Sequence, residues 1–510
     1  MATITDEVST RADSVPDSPI ARAVVIGAGF GGLAAALRLR ARGYEVTVVE
    51  RAKMPGGRAQ VFEVDGYRHD AGPTVTTAPF LFAELFELFG KRIEDYVTFV
   101  PLKPWYRFQF PDGDTFDYGG TLEDTLAEIR RIEPQDEAGY LGLLDHSKKL
   151  FDVGFTELAD QPFHSPMAMV RQIPRLVQLR SDRTVWQLVC RHLKSDKLRQ
   201  AFSIQPLLVG GSPFETTSIY GLIHYLEREW GVHFAMGGTG KLVAALTTLM
   251  AEEGIELKCG QTVSELVLDG RRATGVKLGC GEILDADVIV SNADPLHLYS
   301  NMLPTEKLAA LPRLKLKSRK SMGLYVLYFG TSRTYPEVAH HTIWLGTRYR
   351  DLLRDIFRRK VLTDDFSLYV HRPTATDPSF APEGHDSFYV LCPVPNLDGD
   401  VNWEVEGPRL QARIIEALEK TMLPGLSEAI RSPFYMTPED FKHDYLSVAG
   451  AGFSIAPHFT QSAWFRFHNR AEGIENLYLV GAGTHPGAGL PGVVSSAKVI
   501  EKLVPHHAHV

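Results

Sequence analysis

Cysteine is scarce. The 510 residues hold four, Cys190, Cys259, Cys280 and Cys392, and no C-x-x-C pair. That excludes a disulfide scaffold, a zinc ribbon and a thioredoxin-type site, and it suits a reducing cytoplasm. Positive charge is not in excess: 54 Lys and Arg face 62 Asp and Glu, a net of −8, which argues against a nucleic-acid partner. No internal repeat, no low-complexity stretch and no G-x-S-x-G hydrolase context occurs. Residues 1–20 mix Asp, Glu, Arg, Ser and Pro without an apolar core, so a disordered leader is expected there and not a secretory signal. The longest uncharged runs near the C-terminus are Tyr445–Phe465 and Asn476–Ala497. The second carries five glycines and two prolines, which predicts a glycine-rich turn between a strand and a helix, not a membrane span. The remaining composition, 44% apolar and 23% charged, is that of a globular protein, and the length predicts two or three domains.

The strongest motif is near the start. Val24-Val25-Ile26 reads as a short buried strand, Gly27-Ala28-Gly29-Phe30-Gly31-Gly32 contains G-x-G-x-x-G, and a helix is expected from Leu33 to about Arg42, stopped by Gly43. A second strand, Val46 to Val49, ends in Glu50. This is a βαβ dinucleotide fingerprint in its proper context. Gly27 permits the tight turn, Gly29 lets a pyrophosphate approach bare backbone, and Gly32 allows close helix–strand packing. The free N–H groups and the helix dipole attract phosphate. Glu50 is placed to accept hydrogen bonds from a ribose, and its charge opposes a 2′-phosphate.

Glu50 is followed by Arg51 and, at 56–58, by Gly56-Gly57-Arg58. This resembles the second signature of the large FAD family that includes the amine oxidases, in which the Gly-Gly turn and the Arg lie along the flavin phosphates and ribityl chain. His69-Asp70-Ala71-Gly72-Pro73-Thr74 resembles the D-x-G-P-T segment of bacterial-type carotenoid desaturases. Ala286–Asp294, with Asn292, is similar to the strand that closes their FAD domain, and Leu477–Val493, through Gly483-Thr484-His485 and Pro491-Gly492-Val493, to their C-terminal flavin motif. Leu207–Phe214 and Gln461–Arg466 also match. The resemblance runs from about Ala23 to Lys502 and is nearest to bacterial phytoene desaturases, which convert phytoene to lycopene or neurosporene.

That resemblance implies an α/β fold with a discontinuous Rossmann-like FAD-binding domain over 20–90, 221–300 and 467–510. An α+β substrate domain and a helical membrane-associating region would be inserted over 91–220 and 301–466. It implies one FAD held by Gly27, Ala28, Gly29, Gly31, Gly32, Glu50, Arg51, Gly57, Arg58, Pro73, Thr74, Val263 (whose backbone reads the adenine), Asn292, Gly483, Thr484, Pro491, Gly492 and Val493. No second glycine fingerprint is followed by a strand and an acid, so reoxidation is expected from oxygen or a quinone. The alternatives left open are another carotenoid desaturase, a flavin-dependent carotene isomerase, and a non-enzymatic prenyl-lipid escort. Such escorts lack a competent flavin site, whereas Glu50, Gly57-Arg58 and the His485 segment are intact here.

Other patterns carry less. Gly237-Gly238-Thr239-Gly240-Lys241-Leu242 has Leu242 where a P-loop needs Ser or Thr, and Ala235 where it needs Gly, so it reads as a capped helix start. His340 and His341 are sequence neighbours expected to point apart, and His506, His507 and His509 lie in the tail; no metal site is expected.

The expected chemistry takes a hydride from one carbon of an apolar polyene to the flavin and a proton from its neighbour. It asks position and dryness of the protein. The last helix, from about Pro491, is expected to aim its positive end at the flavin N1–C2=O edge. His485 and Thr74 are candidates for the flavin face. Arg171, a third catalytic candidate, matches an arginine near the substrate entrance of related desaturases, but Ala168 stands where some relatives carry the acid of an Asp–Arg acid/base pair. Its bland alternative is a solvated basic side chain.

A hydrocarbon of this size dissolves in bilayers, so a peripheral position on the cytoplasmic membrane is expected, with phytoene and carotene intermediates, the membrane surface and a homo-oligomer as partners. Between Gln161 and Phe202, Arg171, Arg175, Arg180, Arg183, Arg191, Lys194, Lys197 and Arg199 face only Asp182 and Asp196. Val185, Val189 and Leu193 recur at i, i+4, i+8 beside Trp186. This predicts a basic amphipathic docking helix, supported by Arg313, Lys315, Lys317, Arg319 and Lys320. A solvated basic face over a buried apolar stripe is the competing reading.

Overall fold

The computed structural model describes residues 21–505; the leader over 1–20 and the tail histidines lie outside the described residues. The first strand spans Arg22–Ile26, the first helix Phe30–Ala41 and the second strand Glu45–Glu50. They belong to a five-stranded parallel sheet in the order Leu477–Leu479, Val288–Ser291, Arg22–Ile26, Glu45–Glu50, Glu256–Cys259. Parallel strands covered on both faces read as unbroken apolar runs, and Val24-Val25-Ile26 and Val288-Ile289-Val290 are such runs, all buried. One face packs Leu33, Leu37, Leu246 and Val494 from three helices. The other meets an antiparallel meander, Val263–Asp269, Arg272–Leu278 and Ile283–Asp285, through Val263, Leu266 and Val276. The strand Ile283–Asp285 is short and mostly exposed.

A second sheet of seven strands runs in the order Ile430–Met436, Gly323–Thr331, Asp386–Val394, Leu368–His371, His341–Trp344, Tyr106–Gln109, Thr115–Tyr118. Its neighbours are antiparallel except His341–Trp344 beside Tyr106–Gln109. Alternation along Gly323–Thr331 sends Tyr325, Leu327 and Phe329 toward the helix Trp403–Thr421. Leu324, Val326 and Tyr328 go to the opposite face, with Tyr106, Phe108 and Tyr389.

The helix Val185–His192 forms behind a capping box of Thr184 and Gln187. Its stripe, however, is core: Val185, Val189 and Leu193 are 1%, 0% and 1% exposed. Arg183, Arg191 and Lys194 form the solvated face above it, so this helix has no apolar side to offer a membrane. The tract around Lys315 is likewise not a free basic patch: Lys315 is buried against Glu472, Arg319 pairs with Glu215, and Lys320 with Asp398. The helix Pro166–Gln178 is the opposite case. Met167, Val170 and Val177 are 57%, 53% and 59% exposed, and Ile173 is exposed with them.

Candidate active site

A cavity of about 950 Å³ begins at the glycine turn, passes between the two sheets and ends beneath the helix Pro166–Gln178. Gly27 takes φ +92° at its rim, a left-handed conformation that favours glycine. A Cβ on Gly29 would come within 2.9 Å of Asn292 Nδ2, and one on Gly31 within 2.5 Å of Asn292 Oδ1. Backbone is therefore bare where a pyrophosphate has to approach. Glu50 is buried at the end of its strand and lines the same end. Its carboxylate accepts from Ala28 N–H at 2.6 Å and Ala52 N–H at 2.8 Å, which fixes both loops around it.

Arg58 and Asp294 lie in the wall. Burial lowers the Arg58 pKa and raises that of Asp294, and their mutual attraction partly offsets both. Arg58 donates to Ser447 Oγ, while its Nε has no partner among the chain's own groups. Arg51 donates to the carbonyls of His443 and Asp444, both at 2.9 Å. The wall continues through Gly57, Pro73, Val263 and the first turn of the helix Leu490–Glu501, where Pro491, Gly492 and Val493 stand.

Four expected contact residues are not in this wall. Ala28 and Gly32 sit behind it: Ala28 is buried with its N–H on Glu50, and Gly32 packs so closely that a Cβ would lie 1.9 Å from Gly27 O. Gly483 abuts Pro295. Thr484 turns inward, its hydroxyl donating to Gly481 O at 3.0 Å and its carbonyl accepting from Arg466 Nε at 3.0 Å. Gly481 and Ala482 take the wall positions instead. Arg466 is 1% exposed, and its guanidinium donates to backbone carbonyls of Thr484, Gln461 and Ala482. It stitches the glycine-rich turn from behind, a role its place in the 461–466 motif did not announce.

His485 lines the cavity with Nε2 2.9 Å from Leu158 O and its ring edge-on to Phe163. Burial pulls its pKa down to about 4, so the ring is neutral at pH 7; Nδ1 has no partner. Thr74 Oγ1 is 2.7 Å from Tyr369 OH. Arg171 lies exposed on the roof helix and is not part of the wall, whereas Met169, Gln172 and Leu176 of that helix are.

One wall residue escaped the sequence. Glu227, fully buried, accepts from Tyr106 OH at 2.9 Å, and burial raises its carboxyl to about 7. Its position in an amphipathic helix, Leu222–Trp230, looks like any charged residue. The substrate end is predominantly apolar, with Leu207, Ile223, Leu324 and Leu391, and carries Gln172, Thr217 and Ser367 among them. The P-loop-like run is a helix start, Gly238–Glu252, whose first amides already serve carboxylates: Gly237 N–H donates to Asp377 at 2.8 Å and Thr239 N–H to Asp70 at 3.1 Å.

A Rossmann-type sheet with this cradle, opening into an apolar chamber, defines a flavin-dependent oxidoreductase. The family model described as flavin containing amine oxidoreductase matches residues 30–499, and the chain belongs to that family and, within it, to the phytoene desaturases. It is 48% identical over 487 residues to the lycopene-forming phytoene desaturase of Pseudescherichia vulneris, covering 95% of this chain and 99% of that one. It is 43% identical over 492 residues to the neurosporene-forming phytoene desaturase of Rhodobacter capsulatus, covering 95% and 94%. Among solved structures, an oxidoreductase from Methanosarcina mazei matches with a TM-score of 0.64 at 18% identity, over 94% of this chain and 100% of that chain. Putrescine oxidase bound to putrescine matches at 0.63 and 13%, over 94% and 98%. These two share the fold. The cofactor expected from the sequence, FAD, is the flavin of this family, and the bare glycine turn and the partnerless Arg58 Nε and His485 Nδ1 fit such a polar group.

Proposed function

We propose that the chain dehydrogenates phytoene in successive steps toward neurosporene or lycopene in carotenoid biosynthesis, acting on CH–CH bonds with FAD. The observation that carries this reading is the continuity of one cavity from a nucleotide cradle to a chamber walled by aliphatic side chains. FAD, when bound, supplies the hydride acceptor. Glu50, Gly57, Arg58 and Asn292 would hold it, and Thr74 and His485 would line its flavin face. The positive end of the helix Leu490–Glu501 favours negative charge at that wall. His485, neutral and anchored on Leu158 O, positions and excludes water rather than trading a proton. The apolar chamber holds the polyene dry.

The helix Pro166–Gln178 supports a docking surface. Its inner face, Met169, Gln172 and Leu176, roofs the cavity, and its outer face presents Met167, Val170, Ile173 and Val177. Arg171, Arg180 and Arg183 are exposed near it, a combination suited to an anionic leaflet. No helix among the described residues is long and apolar enough to cross a membrane. A hydrocarbon would enter beneath the roof directly from the bilayer.

The test is incubation of the FAD-loaded chain with phytoene in liposomes and chromatography of the products. More desaturated carotenes are expected. Geometric isomers of unchanged unsaturation would replace the reading with an isomerase, and a chain purified without flavin would replace it with an escort.

A further inference from the structure

Three histidines meet behind Tyr369, outside the cavity wall. His341 opens the strand His341–Trp344 and pairs across the ladder with His371, the last residue of Leu368–His371. His340 precedes the strand, so alternation does not separate it from His341: their ring centroids are 4.6 Å apart, against the expectation that they point apart. The other two separations are 4.9 Å for His340–His371 and 5.3 Å for His341–His371. All three side chains are buried.

Their nitrogens are sorted. His340 Nδ1 is 2.7 Å from Thr376 Oγ1, and His341 Nδ1 is 2.8 Å from Tyr369 OH. Each hydroxyl fixes its ring from outside and leaves the opposite nitrogen for the cluster, the arrangement that outer-shell partners impose on metal-binding imidazoles. His340 Nε2 is 3.1 Å from His371 Nε2. One nitrogen of each ring lies within 4.8 Å of the other two. His341 Nε2, on the cluster side of its ring, has no hydrogen-bond partner, and a buried polar atom left alone costs about 1–3 kcal/mol.

Tetrahedral zinc with bonds of about 2.0–2.1 Å places its nitrogen ligands about 3.3–3.4 Å apart. The His340–His371 contact is close to that spacing, and His341, whose ligand nitrogen lies within 4.8 Å of the other two, closes on the ion when it binds. We propose that His340, His341 and His371 bind one divalent transition-metal ion of the zinc class. Calcium and magnesium are disfavoured because the group offers imidazole and no carboxylate. The fourth position takes hydroxide or a small anion, which offsets part of the ion's charge. The neighbouring Arg372 is already paired with Asp386 at 3.4 Å. The ion's role is structural. It clamps two strands of the seven-stranded sheet and, through Tyr369 OH, the Thr74 hydroxyl at the cavity wall.

The experiment uses the FAD-loaded chain, untagged and with His506, His507 and His509 changed to Ser so that the tail cannot bind metal. After chelator treatment and gel filtration, it is titrated with Co²⁺, followed by elemental analysis and by absorption at wavelengths beyond the flavin bands. One Co²⁺ per chain with tetrahedral bands, displaced by Zn²⁺, is expected. His371→Phe should abolish binding. Tyr369→Phe and Thr376→Val, which keep all three ligands, should weaken it about 10–100-fold. Flavin content and near-ultraviolet dichroism report folding of each variant. No stoichiometric Co²⁺ in the folded parent overturns the proposal, and so does undiminished binding in folded His371→Phe.

Discussion

The two ends of the cavity are built on opposite principles. At the cradle, the backbone does the work: Gly27 adopts φ +92°, Gly29 and Gly31 leave no room for a Cβ beside Asn292, and Glu50 ties two loops through their N–H groups. Each position admits one or two residue types. At the substrate end, Leu207, Ile223, Leu324 and Leu391 need only be apolar and of suitable volume. The first end is specified residue by residue, the second by composition. Substitutions should therefore fail sharply at one end and gradually at the other.

The largest effect is expected at the cradle. Gly29→Val places a branched side chain against Asn292 and in the phosphate approach, so the variant should purify without stoichiometric flavin, measured by absorbance after denaturation. Leu207→Val at the other end should keep full flavin. Equal flavin loss in both would break the contrast.

Next comes the roof. Val170→Glu with Val177→Glu puts two charges on an exposed face where little packing is lost. Flotation with anionic liposomes should fall at least tenfold while flavin stays bound. Arg191→Glu with Lys194→Glu, at the C-terminal end of the neighbouring helix whose apolar stripe is buried, should have a smaller effect. If the second pair abolished flotation and the first did not, the docking face would be on the helix Val185–His192 after all.

This pair of helices also marks how far the sequence could be read. Both segments, Pro166–Gln178 and Val185–His192, are short amphipathic helices in a basic stretch of the chain. Periodicity shows that an apolar stripe exists but not what covers it. Tertiary packing buried Val185, Val189 and Leu193 and left Val170 and Val177 outside. The parallel sheet and the glycine turn were legible because local backbone chemistry dictates them. Gly483 and Thr484 were misplaced because a motif gives chain position, not which face of a turn meets the cavity. The histidine cluster was hidden for a similar reason: His340 lies just outside the strand, where alternation no longer applies, and His371 is 31 residues further on, in the partner strand.

Glu227 belongs to neither end's logic and gives the third effect. Burial raises its carboxyl from 4.5 to about 7. The folded state therefore holds a proton that the unfolded chain has released between these pH values, and stability falls as pH rises through the window. The loss amounts to about 3 kcal/mol above pH 7. Glu227→Gln keeps an acceptor for Tyr106 and should remove the dependence, so its Tm advantage over the parent should grow from pH 5 to pH 8. A constant difference would mean that the carboxyl ionises normally.

Glu50→Ala should weaken FAD binding by about 1–3 kcal/mol, the scale of a charge-assisted hydrogen bond, read by flavin fluorescence titration. The carboxylate also serves Ala28 and Ala52 N–H. Glu50→Gln, which keeps one acceptor, should therefore recover part of the affinity. Recovery to the parent value would show that the charge itself is unimportant.

The smallest effect is expected at Arg171, and it separates the two expectations held for this residue. If Arg171 were an acid/base partner, its removal would cost the 10²–10⁴-fold typical of positioned proton-transfer groups. The side chain, however, is exposed on the outer part of the roof, while Met169 and Gln172 on either side of it line the cavity. An exposed arginine near an anionic leaflet contributes about 1 kcal/mol, close to a fivefold change in partitioning. Arg171→Gln should therefore leave phytoene turnover in neutral liposomes unchanged and lower it about fivefold in anionic ones, where docking limits access. A drop of a hundredfold in both lipids, with flavin and flotation intact, would place Arg171 in the chemistry and make the roof part of the active site.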